Sequence, residues 1–164
     1  MQSRHVKHPF GAVIDKNSKV LILGSVPSVK SVENNFYYMH PKNRFWKVLS
    51  ALLGEDLYSA DIETRKSTLL AHNIALYDSV EECDILGSSD SEISNVIPAD
   101  IPQLISGTQI SHIFCNGAAS YANLMKYHPQ LEGMTTKLPS TSPANAACSL
   151  TKLIEVWKTI LVEE

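Results

Sequence analysis

The stretch Lys19-Val20-Leu21-Ile22-Leu23-Gly24-Ser25-Val26-Pro27-Ser28 decides the fold. Four consecutive aliphatic residues follow the turn-like Asp15-Lys16-Asn17-Ser18 and run into glycine. A short apolar run bounded by turn residues reads as a buried strand, Lys19 to Gly24. Gly24 lets a backbone approach a ligand closely, and Pro27 stiffens the turn that follows. The amides and hydroxyls of Gly24–Ser28 could hold a phosphate or a flat base, although an ordinary turn explains the same residues.

Downstream of this strand, helices and strands alternate. Phe45, Trp46, Leu49, Leu52 and Leu53 share helical spacing and Gly54 follows them, so Asn43 to Leu53 is expected to be a helix. Asp61 to Ala71 reads as a second amphipathic helix. Ile74 to Val80 reads as a second strand and Ser111 to Gly117 as a third. Ile101–Ser106 and Ala118–Tyr127 are expected helices, and Thr135–Leu138 a short fourth strand. The acidic segment Glu81 to Asn95 is read as a surface loop. Leu150, Leu153, Ile154, Trp157, Ile160 and Leu161 form one apolar helical face, with Asn145 as an expected N-cap.

This alternation implies an α/β fold of one domain over residues 1–164, with a parallel sheet covered by helices on both faces. Ligands of such sheets sit at the carboxyl ends of the strands. Gly24–Ser28, Asp78, Asn116–Gly117 and Ser140–Asn145 are therefore expected to converge on one edge.

Net charge is −3 over 164 residues, so bulk charge does not announce a nucleic-acid binder. The distribution is uneven. From Lys30 to Lys47 there are four basic residues against one acid, whereas the remainder holds ten bases and sixteen acids. One phosphate-facing surface is compatible with this, and so is a solvated loop. Cys83, Cys115 and Cys148 are scattered and form no CxxC pair, which signals neither zinc nor an iron–sulfur cluster and fits a reducing cytosol. The six histidines (His5, His8, His40, His72, His112, His128) lack metal-ligand spacing. The absence of a Walker loop and of GxGxxG argues against an NTPase or a dinucleotide enzyme. No apolar run reaches the ~18 residues of a membrane span, and the first residues lack a signal-peptide core. A soluble, cytoplasmic protein is expected.

Two further segments could carry chemistry. Phe36-Tyr-Tyr-Met-His-Pro-Lys-Asn-Arg-Phe-Trp46 sets aromatics around a proline and a basic pair. Phe45 and Trp46 suit core packing. Tyr38, in a loop, could stack on a base. Asn43 could cap the helix or act on a substrate, and residue type alone leaves both open. Leu138-Pro-Ser-Thr-Ser-Pro-Ala-Asn145 carries three hydroxyls before a helix, which makes either a phosphate site or a capped loop.

Taken together and in this order, the segments resemble the uracil-DNA glycosylase superfamily: a GxxPS-type loop after the first strand, then YYxHPxNRFW, then a PSxSP-type loop before the last helix. His40-Pro-Lys-Asn-Arg-Phe-Trp46 is similar to the mismatch-specific uracil glycosylases. The pairing of GSVPS with LPSTSPANA, together with Asn73–Asp78 and Gly87–Ser91, is closer to the hypoxanthine-DNA (deoxyinosine) glycosylase branch. The likeness spans about residues 8 to 161. Two positions depart from the wider pattern. Val26 stands where most branches carry an Asp or Asn that handles the attacking water, and Ser140 stands where many carry a histidine.

The resemblance implies a three-layer α/β/α sandwich with a central four-stranded parallel sheet and DNA across the strand ends. It implies Asn43 as the catalytic residue. Gly24, Ser25, Tyr38, Asp78, Asn116 and Ser140 are then candidates for holding a flipped base. Ser28, Lys42, Arg44, Thr141, Ser142, Pro143, Ala144 and Asn145 are candidates for the flanking DNA. The expected activity is monofunctional removal of a deaminated base, hypoxanthine foremost, by a monomer that needs no cofactor, metal or membrane. A uracil glycosylase and a non-catalytic sensor of damaged DNA are the competing expectations.

Overall fold

The computed structural model describes residues 3–8, 10–26, 29–86 and 93–161. Ser28 and the Gly87–Ser91 segment lie outside these. Strand β1 is Ser3–Lys7 and β2 is Val20–Gly24, followed by helices α1 (Val29–Asn34), α2 (Phe45–Leu53) and α3 (Ile62–Ala71). Next come β3 (Ile74–Asp78), β4 (Val80–Leu86), β5 (Ile93–Pro98), α4 (Ile101–Ile105), β6 (His112–Asn116), α5 (Ala118–Tyr127), β7 (Thr135–Leu138) and α6 (Leu150–Trp157).

β3, β2, β6 and β7 form a four-stranded sheet in that order, and every pairing in it is parallel. All five residues of β2 are buried, as its unbroken apolar run requires. Side chains alternate between two cores. Val20 and Ile22 pack with Phe45, Leu49, Leu69, Leu153 and Trp157, whereas Leu21 and Leu23 pack with Ile101 and Leu124. The sheet is therefore sandwiched, with α2, α3 and α6 on one face and α4 and α5 on the other.

A second sheet, β1-β4-β5, is antiparallel. It overturns the reading of Glu81–Asn95 as a loop. Cys83 and Ile85 are buried with Val6, while Glu82 and Asp84 point outward to His5, each at 2.6 Å. The acidic composition of this segment hid a period-two alternation. The N-cap of α6 is also corrected. Ser149 caps it by accepting the Lys152 N–H at 3.1 Å, and Asn145 lies upstream in the loop.

The N-terminal arm is tied to the main sheet near the end of β3. Val13 and Leu76 exchange backbone hydrogen bonds of 3.0 and 2.8 Å, and the His8 N–H donates to the Glu81 carbonyl at 2.8 Å. The Tyr37 hydroxyl donates to the Gly11 carbonyl at 2.8 Å.

Candidate functional site

Strand register lines up the expected site residues. Gly24 pairs with Asp78, Leu23 with Cys115, and Asn116 with Leu138. Asp78, Gly24, Asn116 and Leu138 thus form one row across the carboxyl edge of the sheet. Strand alternation turns this row toward the face that carries α2 and α6. The residues that precede α2 and α6 meet it there.

Asn43 precedes α2, and its side chain is fixed by two bonds to one atom. Oδ1 accepts the Phe45 N–H at 2.9 Å and the Thr141 hydroxyl at 2.8 Å. Because Phe45 N–H is an obligate donor, the amide orientation is determined and Nδ2 is the end left to act outward. Both the bond to the α2 backbone and the bond to Thr141 use the oxygen end of the amide. Thr141 Oγ1 in turn accepts from Asn116 Nδ2 at 3.0 Å, and Asn116 Oδ1 accepts the Thr141 N–H at 3.0 Å. The result is a directed chain, Asn116 to Thr141 to Asn43, with Thr141 fully buried. Thr141, expected among the DNA contacts, is instead placed with its hydroxyl bonded to the two amides.

Arg44 also departs from expectation. Its guanidinium donates to the carbonyls of Ser142 and Asn145 at 3.0 Å each and to that of Cys148, and Nε lies 3.4 Å from the Thr141 carbonyl. Its backbone N–H donates to the same Thr141 carbonyl at 3.1 Å. A planar fork occupied by carbonyl oxygens is a staple for the 141–148 loop and leaves little for a phosphate. Lys42, by contrast, is exposed.

The loop itself is closed by its own groups. Ser140 Oγ accepts the Ser142 N–H and Ser142 Oγ accepts the Ala144 N–H, each at 3.1 Å, and Asn145 Nδ2 donates to the Ser140 carbonyl at 3.0 Å. The N–H groups of Ser142 and Ala144 thus serve the loop itself. Pro143 and Ala144 are exposed. Gly117, at φ 95°, lets Ser140 close in: a Cβ there would lie 3.0 Å from that of Ser140.

At the other end of the row, a Cβ on Gly24 would lie 2.4 Å from Asp78 Oδ1 and 2.9 Å from the Tyr38 hydroxyl. Only glycine fits where a carboxylate and a phenol converge on the backbone. Tyr38 sits at φ 55° and stacks on Phe45 with centroids 4.0 Å apart. One ring face is thus committed to the core. Ser25 is nearly buried, and its carbonyl accepts the Val80 N–H at 3.1 Å.

His8 was not anticipated. Its Nε2 lies 2.8 Å from Asp78 Oδ2, with the two side chains only 1% and 4% exposed. Its Nδ1 contacts the Phe10 carbonyl. Burial lowers the affinity of this imidazole for a proton, but the Asp78 carboxylate, aided by the Phe10 carbonyl and Glu81, prevails, and the pKa is raised. No local pattern around His8 signals this, since its partner is 70 residues away.

A cavity of about 320 Å³ between the N-terminal arm and α3, lined by Phe10–Ile14, Asn35, Phe36, Lys66 and Leu70, shares no residue with this row. Among the described residues, no group of three or more His, Cys, Asp or Glu side chains could hold a metal ion, and no helix is long and apolar enough to cross a membrane.

Residues 11–161 match the family described as the uracil DNA glycosylase superfamily. The chain belongs to that superfamily. Similar proteins include one named hypoxanthine DNA glycosylase from Methanosarcina acetivorans, 34% identical over 94% of this chain and 98% of the relative. Another of that name, from Methanosarcina barkeri, is 38% identical over 54% of this chain and 56% of its own. A solution NMR structure from M. acetivorans, named provisionally as a uracil DNA glycosylase, superposes with a TM-score of 0.76 at 33% identity, covering 92% of this chain and 96% of that one. Superfamily membership and the parallel four-stranded sheet agree with the fold expected from the sequence.

Proposed function

We propose that the protein is a monofunctional DNA glycosylase that hydrolyses the N-glycosidic bond of a flipped deaminated base, hypoxanthine foremost, and leaves an abasic site. The observation that carries this reading is the Asn116–Thr141–Asn43 chain at the carboxyl edge of the sheet, in a superfamily member whose full-length relative is named for hypoxanthine.

A base inside a duplex must be extruded, at a cost of a few kcal/mol that falls for a mispaired base. The extruded base stacks on the face of Tyr38 opposite Phe45, and Gly24, Asp78 and Asn116 read its edge. Glycosidic cleavage runs through an oxocarbenium-like state, which needs little push from its nucleophile. The Asn43 amide is no base at neutral pH. Its Nδ2–H, aimed by the two bonds to Oδ1, orients the attacking water, and the gain is one of positioning. Val26 cannot share this work. Lys42 neutralises a flanking phosphate, and phosphate contacts set register without specifying the base.

The test is a product assay on duplexes carrying a single hypoxanthine, uracil or xanthine. Alkali-labile abasic sites at hypoxanthine, with no nick before alkali, are expected. Release of uracil alone would favour the second reading, which the name of the similar NMR structure motivates. Tight binding to the lesion without abasic product would make the protein a damage sensor instead.

A further inference from the structure

We propose that His8 is a positioning residue for base recognition, carried in on the N-terminal arm to hold the Asp78 carboxylate as a fixed acceptor for a ring N–H of the extruded base. This rests on the reading of Asp78 as a contact to the base edge.

Both nitrogens of His8 face acceptors: Asp78 Oδ2 and the Phe10 carbonyl. Satisfying both requires a proton on each, so the ring is an imidazolium that donates to the carboxylate. The ring cannot swing away. Tyr77, Phe10 and Tyr37 surround it with centroids at 4.5, 4.8 and 5.8 Å, and the His8 backbone N–H is tied to Glu81. The titratable groups around it are Asp78 and Tyr77 of β3, Glu81 of β4, and Tyr37 from the loop before α2.

His8 takes one carboxylate oxygen. The other, Oδ1, is the atom that lies against Gly24 in the row shared with Asn116. An ionised carboxylate only accepts. It takes the N1–H of a six-keto purine, or the N3–H of uracil, and it repels adenine, whose N1 presents a lone pair. A buried ion pair is a poor device for stability alone, since well-packed apolar residues usually do as well. Its site at the strand ends agrees better with a role in recognition.

The experiment compares wild type, His8→Gln, Asp78→Asn and the double variant in single-turnover release of hypoxanthine from a duplex. His8→Gln is expected to lower the rate by about tenfold or more while leaving duplex affinity within about twofold. In the Asp78→Asn background the same change should cost less than about twofold. Additive losses would overturn the proposal, because His8 would then act independently of Asp78. A second readout needs no turnover. In NMR titrations, the His8 imidazole of wild type should lose its proton above the ordinary histidine range, and in Asp78→Asn at lower pH. An ordinary midpoint in wild type overturns the pairing. If wild type leaves hypoxanthine intact but releases uracil, the substrate reading fails alone and the same cycle is read on uracil. Release of neither base overturns both.

Discussion

The Asn43 side-chain oxygen accepts a 2.8 Å hydrogen bond from the hydroxyl of Thr141, 98 residues further along the chain. The same oxygen closes the first turn of α2 through Phe45. Truncation should therefore do two separable things. Asn43→Ala is expected to abolish base release and to lower stability by about 1 kcal/mol, the usual net worth of a hydrogen bond lost, while most DNA binding persists. Asn43→Asp keeps both acceptor bonds, so its melting temperature should stay near that of wild type. A melting temperature for Asn43→Asp as low as for Asn43→Ala would show that the two bonds to Oδ1 do not carry this stability.

Thr141 provides the sharper test of the chain. Thr141→Val preserves shape but removes the hydroxyl between two amides. Asn43 Oδ1 then keeps only the Phe45 N–H and Asn116 Nδ2 loses its acceptor, at about 0.5–1.5 kcal/mol for each hydrogen bond removed. Since Nδ2 of Asn43 is aimed by this bond, the single-turnover rate should fall by more than duplex affinity does. Thr141→Ser keeps the hydroxyl and should recover most of the rate. Equal activity in the Val and Ser variants would remove Thr141 from any positioning role.

Much of this arrangement was legible in the sequence. β2, α5 and β7 could be read because each is a local pattern: an apolar run ending in Gly24, a helix from Ala118 ending at Tyr127 before Pro129, and the short run Thr135–Leu138. Asp78 and Asn116 followed from the rule that parallel strands present their ligands at their carboxyl ends, and Asn43 from the resemblance to the superfamily. What stayed hidden depends on pairing between distant segments. Glu82 and Asp84 gave β4 the composition of a loop, although both face outward against His5 from β1. Arg44 and Thr141 looked like DNA contacts because basic and hydroxyl residues in loops often are. Only the three-dimensional packing shows that they bind each other's loops, and the same holds for His8 and Asp78.

Arg44 and Lys42 should separate cleanly in binding experiments. Arg44 holds the carbonyls of residues 142, 145 and 148, so Arg44→Ala should destabilise the fold and loosen the 141–148 loop while leaving the salt dependence of DNA binding unchanged. Lys42→Ala should leave stability within about 0.5 kcal/mol and reduce the slope of log affinity against log salt by about 1. A reduced slope in Arg44→Ala, measured on folded protein, would restore Arg44 to the phosphate contacts.

Gly24→Ala introduces one methyl group at the most crowded point of the row. The added carbon would sit 2.4 Å from Asp78 Oδ1 and 2.9 Å from the Tyr38 hydroxyl, and real Cβ atoms do not tolerate that approach. The carboxylate is held by His8 and the phenol ring by its stack on Phe45, so neither can retreat freely. Overpacking of this kind costs about 1–3 kcal/mol, and the displaced Asp78 and Tyr38 should lower base release further than stability alone explains. Wild-type activity in Gly24→Ala would mean that the row has room the structure does not indicate.

The buried His8–Asp78 pair also makes stability depend on pH, with a definite sign. The folded-state pKa of His8 is raised above the usual histidine value, so the folded protein binds this proton more tightly than the unfolded chain. The stabilisation is fully present below about 6.5, the unfolded histidine value, and is lost as pH rises through the raised folded value. His5 is raised by Asp84 and Glu82 as well, but it is exposed and water screens its contribution. Urea unfolding of wild type and His8→Gln across pH 5.5 to 9 isolates the buried term. Wild type should lose stability on the alkaline side of neutrality, and His8→Gln, which has no proton to lose there, should give a flatter curve. Parallel curves would mean that the charge on His8 contributes nothing to holding Asp78.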